Sequence, residues 1–445
     1  MKELLNNLKG DKVIWSFVAL LALISFMPVY SASSNLAYGA HGSGNTISFL
    51  LKHFAHVGIG FCIIYIVHKI PYHYFKGISI MLLPLVGLLL LYTLFQGKTI
   101  GGANASRWIE VPFTGISFQT STLASLILMM YVSRYLAKMR DKEMTFQSSV
   151  LELWLPVFLI IMLILPANFS TAALIFSMVV MLVFIGKYPL KYLGIIIGAG
   201  IVGLTFFILV AKAFPDAFPN RVDTWISRVD NFTSNNPDED DYQIEKAKIA
   251  IATGGVYGLG PGKSVQRNFL PQSSSDFIFA IIIEEYGLLG GFSIMFLYMM
   301  LFIRFLVAAH KSPTMFGKLL VVGLGFPIVF QALINMAVAV ELLPVTGQTL
   351  PLVSSGGSSI WMTCVSLGII ISVTKKEEEI AEEEAEKAKR EAALQELIDK
   401  QLAETDETMV PNVLEGADRK FETFENDFTI EDKSIDNPMN AVLHK

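Results

Sequence analysis

Between Gly254 and Gly287 the chain gathers nearly every residue type that chemistry on a charged substrate would need. Gly254, Gly255, Gly258, Gly260 and Gly262 are followed by Lys263 and Arg267, then a lone Asp276, then the adjacent pair Glu284 and Glu285. A glycine-rich turn lets backbone amides approach a ligand closely, and with two cations beside it an anion such as a pyrophosphate is a chemically sensible guest. A plain surface turn explains the same glycines. The stretch GLGPGKS resembles a nucleotide phosphate loop only superficially. That loop needs a glycine five residues before Gly262, where Tyr257 stands.

Asp276 follows three serines and precedes the apolar FIFAIII. That grammar describes a helix N-cap, and it also describes a carboxylate at the water–membrane boundary that could serve as a general base or hold a divalent cation. The readings are compatible. Glu284 and Glu285 stand about 12 Å further along a helix rising 1.5 Å per residue. Being neighbours they point about 100° apart, so at least one must face the protein interior, where a salt bridge to another helix is the plain explanation. Arg107–Trp108 reads as an interfacial anchor, and Lys52, His53 and His56 as side chains reaching for the interface. The small residues of LPLVSSGGSS, Ser354, Gly356, Gly357 and Ser358 among them, suit close helix packing as well as binding.

These residues must be positioned by membrane helices. Of 445 residues 53% are hydrophobic and only 16% charged, with a mean hydropathy of +0.53, values that exclude an ordinary soluble domain. Apolar windows near 13–31, 50–68, 77–96, 117–136, 152–166, 168–186, 190–212, 277–303, 317–340 and 352–373 predict an all-α, polytopic membrane protein of about ten spanning helices. The first window follows Lys2, Lys9 and Lys12 and exceeds a usual signal core, so a retained helix is expected. Basic residues recur after every even-numbered window, at Lys69 and Lys76, Arg134 to Lys142, Lys187 and Lys191, Lys311 and Lys318, and Lys375 and Lys376. Both termini are therefore expected in the cytoplasm. Loops 97–116, 213–276 and 341–352 face outward, and the long one contains QIEKAKIAIA, a predicted amphipathic helix on the membrane surface.

Residues 1–374 thus form a membrane domain with 213–276 as its large extracytoplasmic loop, and 375–445 form a charged cytoplasmic helix with a predicted disordered end. The net charge of −5 comes from that tail. No basic patch with interleaved aromatics suggests a nucleic acid. Cys62 and Cys364 lie in apolar runs and read as small buried residues rather than a disulfide framework.

Taken in order, GANASRW ending at Arg107–Trp108, Gln119 with Ser121, LPQSSSDFIFA ending at Ala280, EEYG at Glu284–Gly287, and LPVTG…LPLVSSGGSS from Leu343 to Ser359 resemble the SEDS family (shape, elongation, division and sporulation), the FtsW/RodA-type peptidoglycan polymerases. The resemblance covers roughly residues 12–374. GDKVIWSF, VYSASS and the charged tail look more like the division branch (FtsW) than the elongation branch (RodA). The resemblance implies a lipid II polymerase that transfers a glycan from an undecaprenyl-pyrophosphate carrier to an acceptor sugar hydroxyl in septal cell-wall synthesis. It places the essential aspartate on Asp276, as base or as ligand of a Mg or Mn ion. Arg221, Arg228, Lys263 and Arg267 are candidates for the pyrophosphate on charge and outward placement. Arg107, Trp108, Gln119, Ser354, Gly356, Gly357 and Ser358 are carried over as substrate-binding positions. A class B penicillin-binding transpeptidase and other divisome membrane proteins are the implied partners, and the inner membrane at the division septum the implied location. The chain departs from the family pattern at Thr122, Ser125 and Asn168, where Glu, Lys and Asp are usual. A lipid II flippase and an activity-poor divisome scaffold are the alternatives.

Overall fold

A computed structural model of the chain describes residues 8–34, 45–96, 108–110, 117–140, 142, 145–213, 239–270, 272–375, 385 and 388–400. Helices coincide with the apolar windows. In chain order they are α1 (Lys12–Ala32), α2 (Thr46–Val67), α3 (Phe75–Gln96), α4 (Thr120–Met139), α5 (Phe146–Ile164), α6 (Phe169–Ile185), α7 (Leu190–Ala213), α8 (Glu239–Gly254), α9 (Ile278–Lys311), α10 (Met315–Ala339) and α11 (Gly357–Val373). Seven of them are long and apolar enough to cross a membrane, and α6 and α11 are shorter apolar helices. The chain is a multi-pass membrane protein.

Neighbours pack as α9 on α10, α2 on α11, α3 on α4 and α4 on α10, with α1 against α9. Among the seven long spans α10 is the most enclosed and α7 the least. The predicted surface helix of the long loop exists as α8. Its apolar residues Ile244, Ala247 and Ala250 are buried, and it packs on α9 and α10. One small exception to the all-α class is a two-stranded antiparallel ribbon, β1 (Trp108–Glu110) with β2 (Ser117–Gln119).

Helix α9 fixes the position of the Gly254–Gly287 region. Its 34 residues would span about 51 Å, against a hydrocarbon core of about 30 Å. It breaks at Gly287, where φ is 69° and ψ −174°. Before the break, Ile278 to Glu285 are buried throughout. After it, Leu288, Leu289, Phe292 and Phe296 are exposed as a lipid-facing row. The break strips backbone groups of their helical partners, and in an apolar setting such groups must be bonded elsewhere. The glycine loop supplies the partners. Leu259 N and Gly260 N donate to the carbonyls of Glu284 and Glu285, both at 2.9 Å, while Leu288 N and Leu289 N donate to Gly255 O at 2.9 Å and Val256 O at 3.3 Å. A Cβ at Gly258 would lie 2.2 Å from Glu285 O, and one at Gly287 2.1 Å from Val256 O. The glycines therefore bring two backbones together, rather than a backbone to a ligand.

At the opposite end, Asp11 caps α1 through Oδ1, which accepts from Val13 N at 2.9 Å. Its Oδ2 accepts from Arg304 Nε of α9 at 2.6 Å, and its own N–H donates to Thr374 Oγ1 at 2.9 Å. One residue thus ties the start of the first span to the ends of two late ones.

The chain divides into two compact units, 1–376 and 377–445. The described part of the second is helical over 388–400, with Leu394, Leu397 and Ile398 exposed and an i,i+4 pair, Lys400 to Glu396, at 2.9 Å.

Candidate functional site

Asp276 stands at the end of a tight turn, half-buried, with its N–H donating to Gln272 O at 3.1 Å. The N-cap expectation fails. Phe277, not Asp276, occupies the cap position of α9. The turn is fixed from behind. Ser355 N donates to Ser274 O at 2.8 Å, Ser354 Oγ donates to Ser275 O at 2.6 Å, and Asn335 Nδ2 donates to Asp276 O at 2.7 Å.

The second proton of that amide goes to Gln348 O, also at 2.7 Å, so Asn335 joins the Asp276 turn to the 345–350 segment. Gly347, at φ 64°, would carry its Cβ 3.6 Å from Asp276 Oδ2. Gln348, the next residue, lines a cleft between α4, α6, α10 and α11. The carboxylate therefore lies one residue from the cleft wall.

The lining of this cleft is divided. Gln119, Ser121, Thr122, Ser125, Thr171, Gln331, Gln348, Ser359, Thr363 and Ser366 contribute hydroxyls and amides, and the rest is Leu, Ile, Met, Pro and Gly. Among the described residues, no side chain in the lining is charged. Thr122 and Ser125, where the family pattern has Glu and Lys, both face it, so the departure makes the cleft neutral. Asn168, the third departure, caps α6 by accepting from Thr171 N at 3.2 Å. Thr171 then accepts from Gln348 Nε2 at 2.9 Å.

The other expected site residues fall in different places. Trp108 pairs across the ribbon with Gln119, and Gln119 reaches the cleft, so those two meet. Ser354 and Ser358 are buried, and Ser354 Oγ also accepts from Leu350 N at 2.7 Å. Gly356 is the N-cap of α11. Gly357 sits on the ring of His56, where a Cβ would come within 2.7 Å of Cε1. His53 does not reach for the interface: it is buried and its Nε2 lies 2.8 Å from Ser25 Oγ. Cys62 is exposed and Cys364 buried, both as free thiols, which corrects the buried expectation for Cys62. Lys263 is exposed. Arg107, Arg221 and Arg228 lie outside the described residues.

Glu284 and Glu285 are both fully buried, and their partners are not the basic side chains of another helix. Glu284 accepts from Ser264 Oγ, from Val265 N at 2.9 Å and from Gln266 N at 3.2 Å. Glu285 accepts from Ser31 Oγ of α1 and from Ser264 N at 3.3 Å. Arg267 does not project outward as an anion ligand would, since its Nη1 donates to Ser31 Oγ at 2.7 Å and to Gly262 O at 2.9 Å. Among the described residues, no three His, Cys, Asp or Glu side chains cluster as a metal site.

Asn335 was absent from the sequence expectations. Its signal was an amide inside the apolar run of α10, four residues after Gln331, a placement that in a membrane usually marks a specific partner.

Comparison with known proteins agrees with this arrangement. The family model described as cell cycle protein (FtsW, RodA, SpoVE) matches residues 11–379. A probable peptidoglycan glycosyltransferase FtsW of Nitrosomonas europaea is 30% identical over 369 residues, covering 82% of this chain and 92% of that protein. The probable peptidoglycan glycosyltransferase FtsW of Geobacter sulfurreducens is 31% identical over 372 residues, covering 82% and 95%. Among solved structures, a chain of a peptidoglycan synthase complex that coordinates polymerization and crosslinking superposes with a TM-score of 0.63 at 23% identity, over 82% of this chain and 97% of its own. Thermus thermophilus RodA, a rod shape determining protein, superposes at 0.57 with 22% identity, over 82% and 96%. These likenesses, together with the ordered motifs around Asp276, place the chain in the FtsW/RodA/SpoVE family of cell cycle proteins.

Proposed function

We propose that the chain is a peptidoglycan glycosyltransferase that polymerises lipid II into glycan strands on the outer face of the bacterial inner membrane, at the division septum. The observation that carries this reading is the carboxylate of Asp276 set one residue from a neutral polar cleft cut into the membrane domain. A cleft with hydroxyls and amides on one part and aliphatic side chains on the other suits a substrate with a sugar head and a polyprenyl chain.

Asp276 takes the proton from the acceptor sugar hydroxyl. The freed oxygen forms the new glycosidic bond at the anomeric carbon of the donor, and the bond from that carbon to the pyrophosphate breaks. The undecaprenyl pyrophosphate leaves with its electron pair. Lys263 is exposed next to the rigid glycine loop, and with Arg221 and Arg228 it is a proposed contact for that anion. The alternative role we propose for Asp276 is as a ligand of a Mg or Mn ion, with substrate phosphates and water completing the shell. Asp276 would hold it, and the ion would supply charge neutralisation at the leaving group. The proposed partners are a class B penicillin-binding transpeptidase and other divisome membrane proteins.

The test is polymerisation of lipid II by the purified full chain with its cognate transpeptidase. Ser125→Phe, which fills the cleft, should abolish strand formation while thermal stability stays close to wild type. Wild-type rates in that variant would sink the reading. A flippase would instead move labelled lipid II across liposomes whether or not Asp276 is present.

A further inference from the structure

Arg267, Ser31 and Glu285 form a relay with only one sense. A guanidinium can only donate, so the hydroxyl that accepts from it has its own proton to give to the carboxyl oxygen on its other side. Arg267 Nη1 donates to Ser31 Oγ at 2.7 Å, and Ser31 Oγ passes its own proton to Glu285 Oε1. The three residues come from a loop, the last turn of α1 and the buried first part of α9. The relay therefore joins elements that are 236 and 254 positions apart in the chain.

The relay is also the anchor of the segment leading to Asp276. Ser264, between Gly262 and Arg267, bonds to both glutamates, and Arg267 N donates to Ser264 Oγ at 3.1 Å. Further on, Ser273 Oγ reaches Ala32 O at 3.4 Å and Arg267 O at 3.5 Å. The two residues after it are bonded by Ser354 and Ser355. The segment leading to Asp276 is thus tied to the end of the first span through Arg267 and Ser273 and to Ser354 and Ser355 next to its terminus, with the reactive carboxylate at that terminus. One atom at each end of the relay, Arg267 Nε and Glu285 Oε2, is buried without a partner. Arg267 also donates to Gly262 O and Glu285 also accepts from Ser264 N, both within the loop, whereas the Ser31 hydroxyl is the contact that links them to α1.

We propose that Arg267 is a positioning residue, not an anion ligand: through Ser31 and Glu285 it locks the 262–276 segment onto α1 and so sets where Asp276 meets the acceptor hydroxyl. The proposal rests on the polymerase reading for its kinetic consequence, but the lock itself is a property of the fold.

Two measurements on the full chain in lipid nanodiscs test it. In lipid II polymerisation with the transpeptidase partner, Ser31→Ala and Arg267→Gln should each lower kcat by about 10- to 100-fold with KM within about twofold, as expected for misplacement by about an ångström. The double variant should be no slower than the worse single, because the two residues act as one unit. Ser31→Thr, which keeps the hydroxyl, should recover most of the rate. In hydrogen exchange, both single variants should speed exchange of the amides of Ser264 to Arg267. Additive losses in the double variant, or a rise in KM for Arg267→Gln with Ser31→Ala at wild-type rate, would show that Arg267 contacts the anion directly and overturn the proposal. Unchanged exchange would overturn it too. A wild type that does not polymerise would fail the functional reading alone, since exchange still decides the lock.

Discussion

The side-chain amide of Asn335 donates a 2.7 Å hydrogen bond to the backbone carbonyl of Asp276. It is 1% exposed and lies on α10, the most enclosed of the long spans. Its second N–H is spent on Gln348 O, and its Oδ1 is buried without a partner. A single amide on a rigid element therefore registers the carboxylate against the cleft wall.

Asn335→Ala should lower kcat by about 10- to 100-fold, since a shift of about 1 Å in a reacting group costs that much. KM should move far less. Asn335→Asp, which keeps the shape but puts a carboxylate opposite two carbonyls, should not rescue. Steady-state kinetics on lipid II check both, and wild-type turnover by the alanine variant would deny Asn335 its role.

The glycines divide by what surrounds them. Gly287→Ala and Gly258→Ala drive a Cβ into backbone atoms at 2.1 and 2.2 Å. They should release the stitched loop and leave buried backbone groups unpaired, a loss of several kcal/mol on the order expected in an apolar setting. Gly255→Ala and Gly262→Ala have open space around the new methyl and meet only the left-handed backbone at φ 53° and 73°. Their cost should be about 1–2 kcal/mol. Thermal unfolding in detergent should order the four accordingly.

Much of this was legible in the sequence, and the gaps have physical causes. The spans announced themselves because a window of apolar residues as long as the bilayer is thick has few other uses. Helix α8 was legible from its periodicity. The break at Gly287 was not, because YGLLGG within an apolar run looks continuous, and only the loop bonded to it makes φ 69° tolerable. Asp276 misled as a cap because three serines and an aspartate before an apolar run fit the grammar. The turn begun at Gln272, itself at φ 56°, pushes the cap on to Phe277. The partners of Glu284 and Glu285 were hidden because they lie about twenty residues back in the loop and on α1, beyond the reach of any local pattern.

The neutral cleft makes a prediction about charge. Thr122→Glu alone places an unpaired carboxylate in it at a cost of about 2.5–3.5 kcal/mol, which should appear as a lower Tm. Adding Ser125→Lys, three residues on and on the same helix face, pairs that charge. Most of the lost Tm should return. A double variant less stable than the single would mean that the cleft cannot hold a pair.

At the end of α9 opposite Asp276, Asp11→Ala removes both a helix cap and the partner of Arg304. With the Asp11 side chain 8% exposed and that of Arg304 30%, the combined loss should be about 1–3 kcal/mol. Asp11→Asn keeps the cap and should retain part of it. Polymerisation per folded molecule should stay at the wild-type level in both, because the contact lies at the far end of α9 from Asp276.

The central claim is that the carboxylate of Asp276 takes the proton of the acceptor hydroxyl. Asp276→Asn changes one oxygen to an amide and leaves the backbone bonds to Gln272 and Asn335 in place, so the variant should fold. Glycan-strand formation from lipid II by the full chain with its transpeptidase partner measures the claim directly. Strands are expected from the wild type and none from Asp276→Asn. Strands from the variant at the wild-type rate would contradict it.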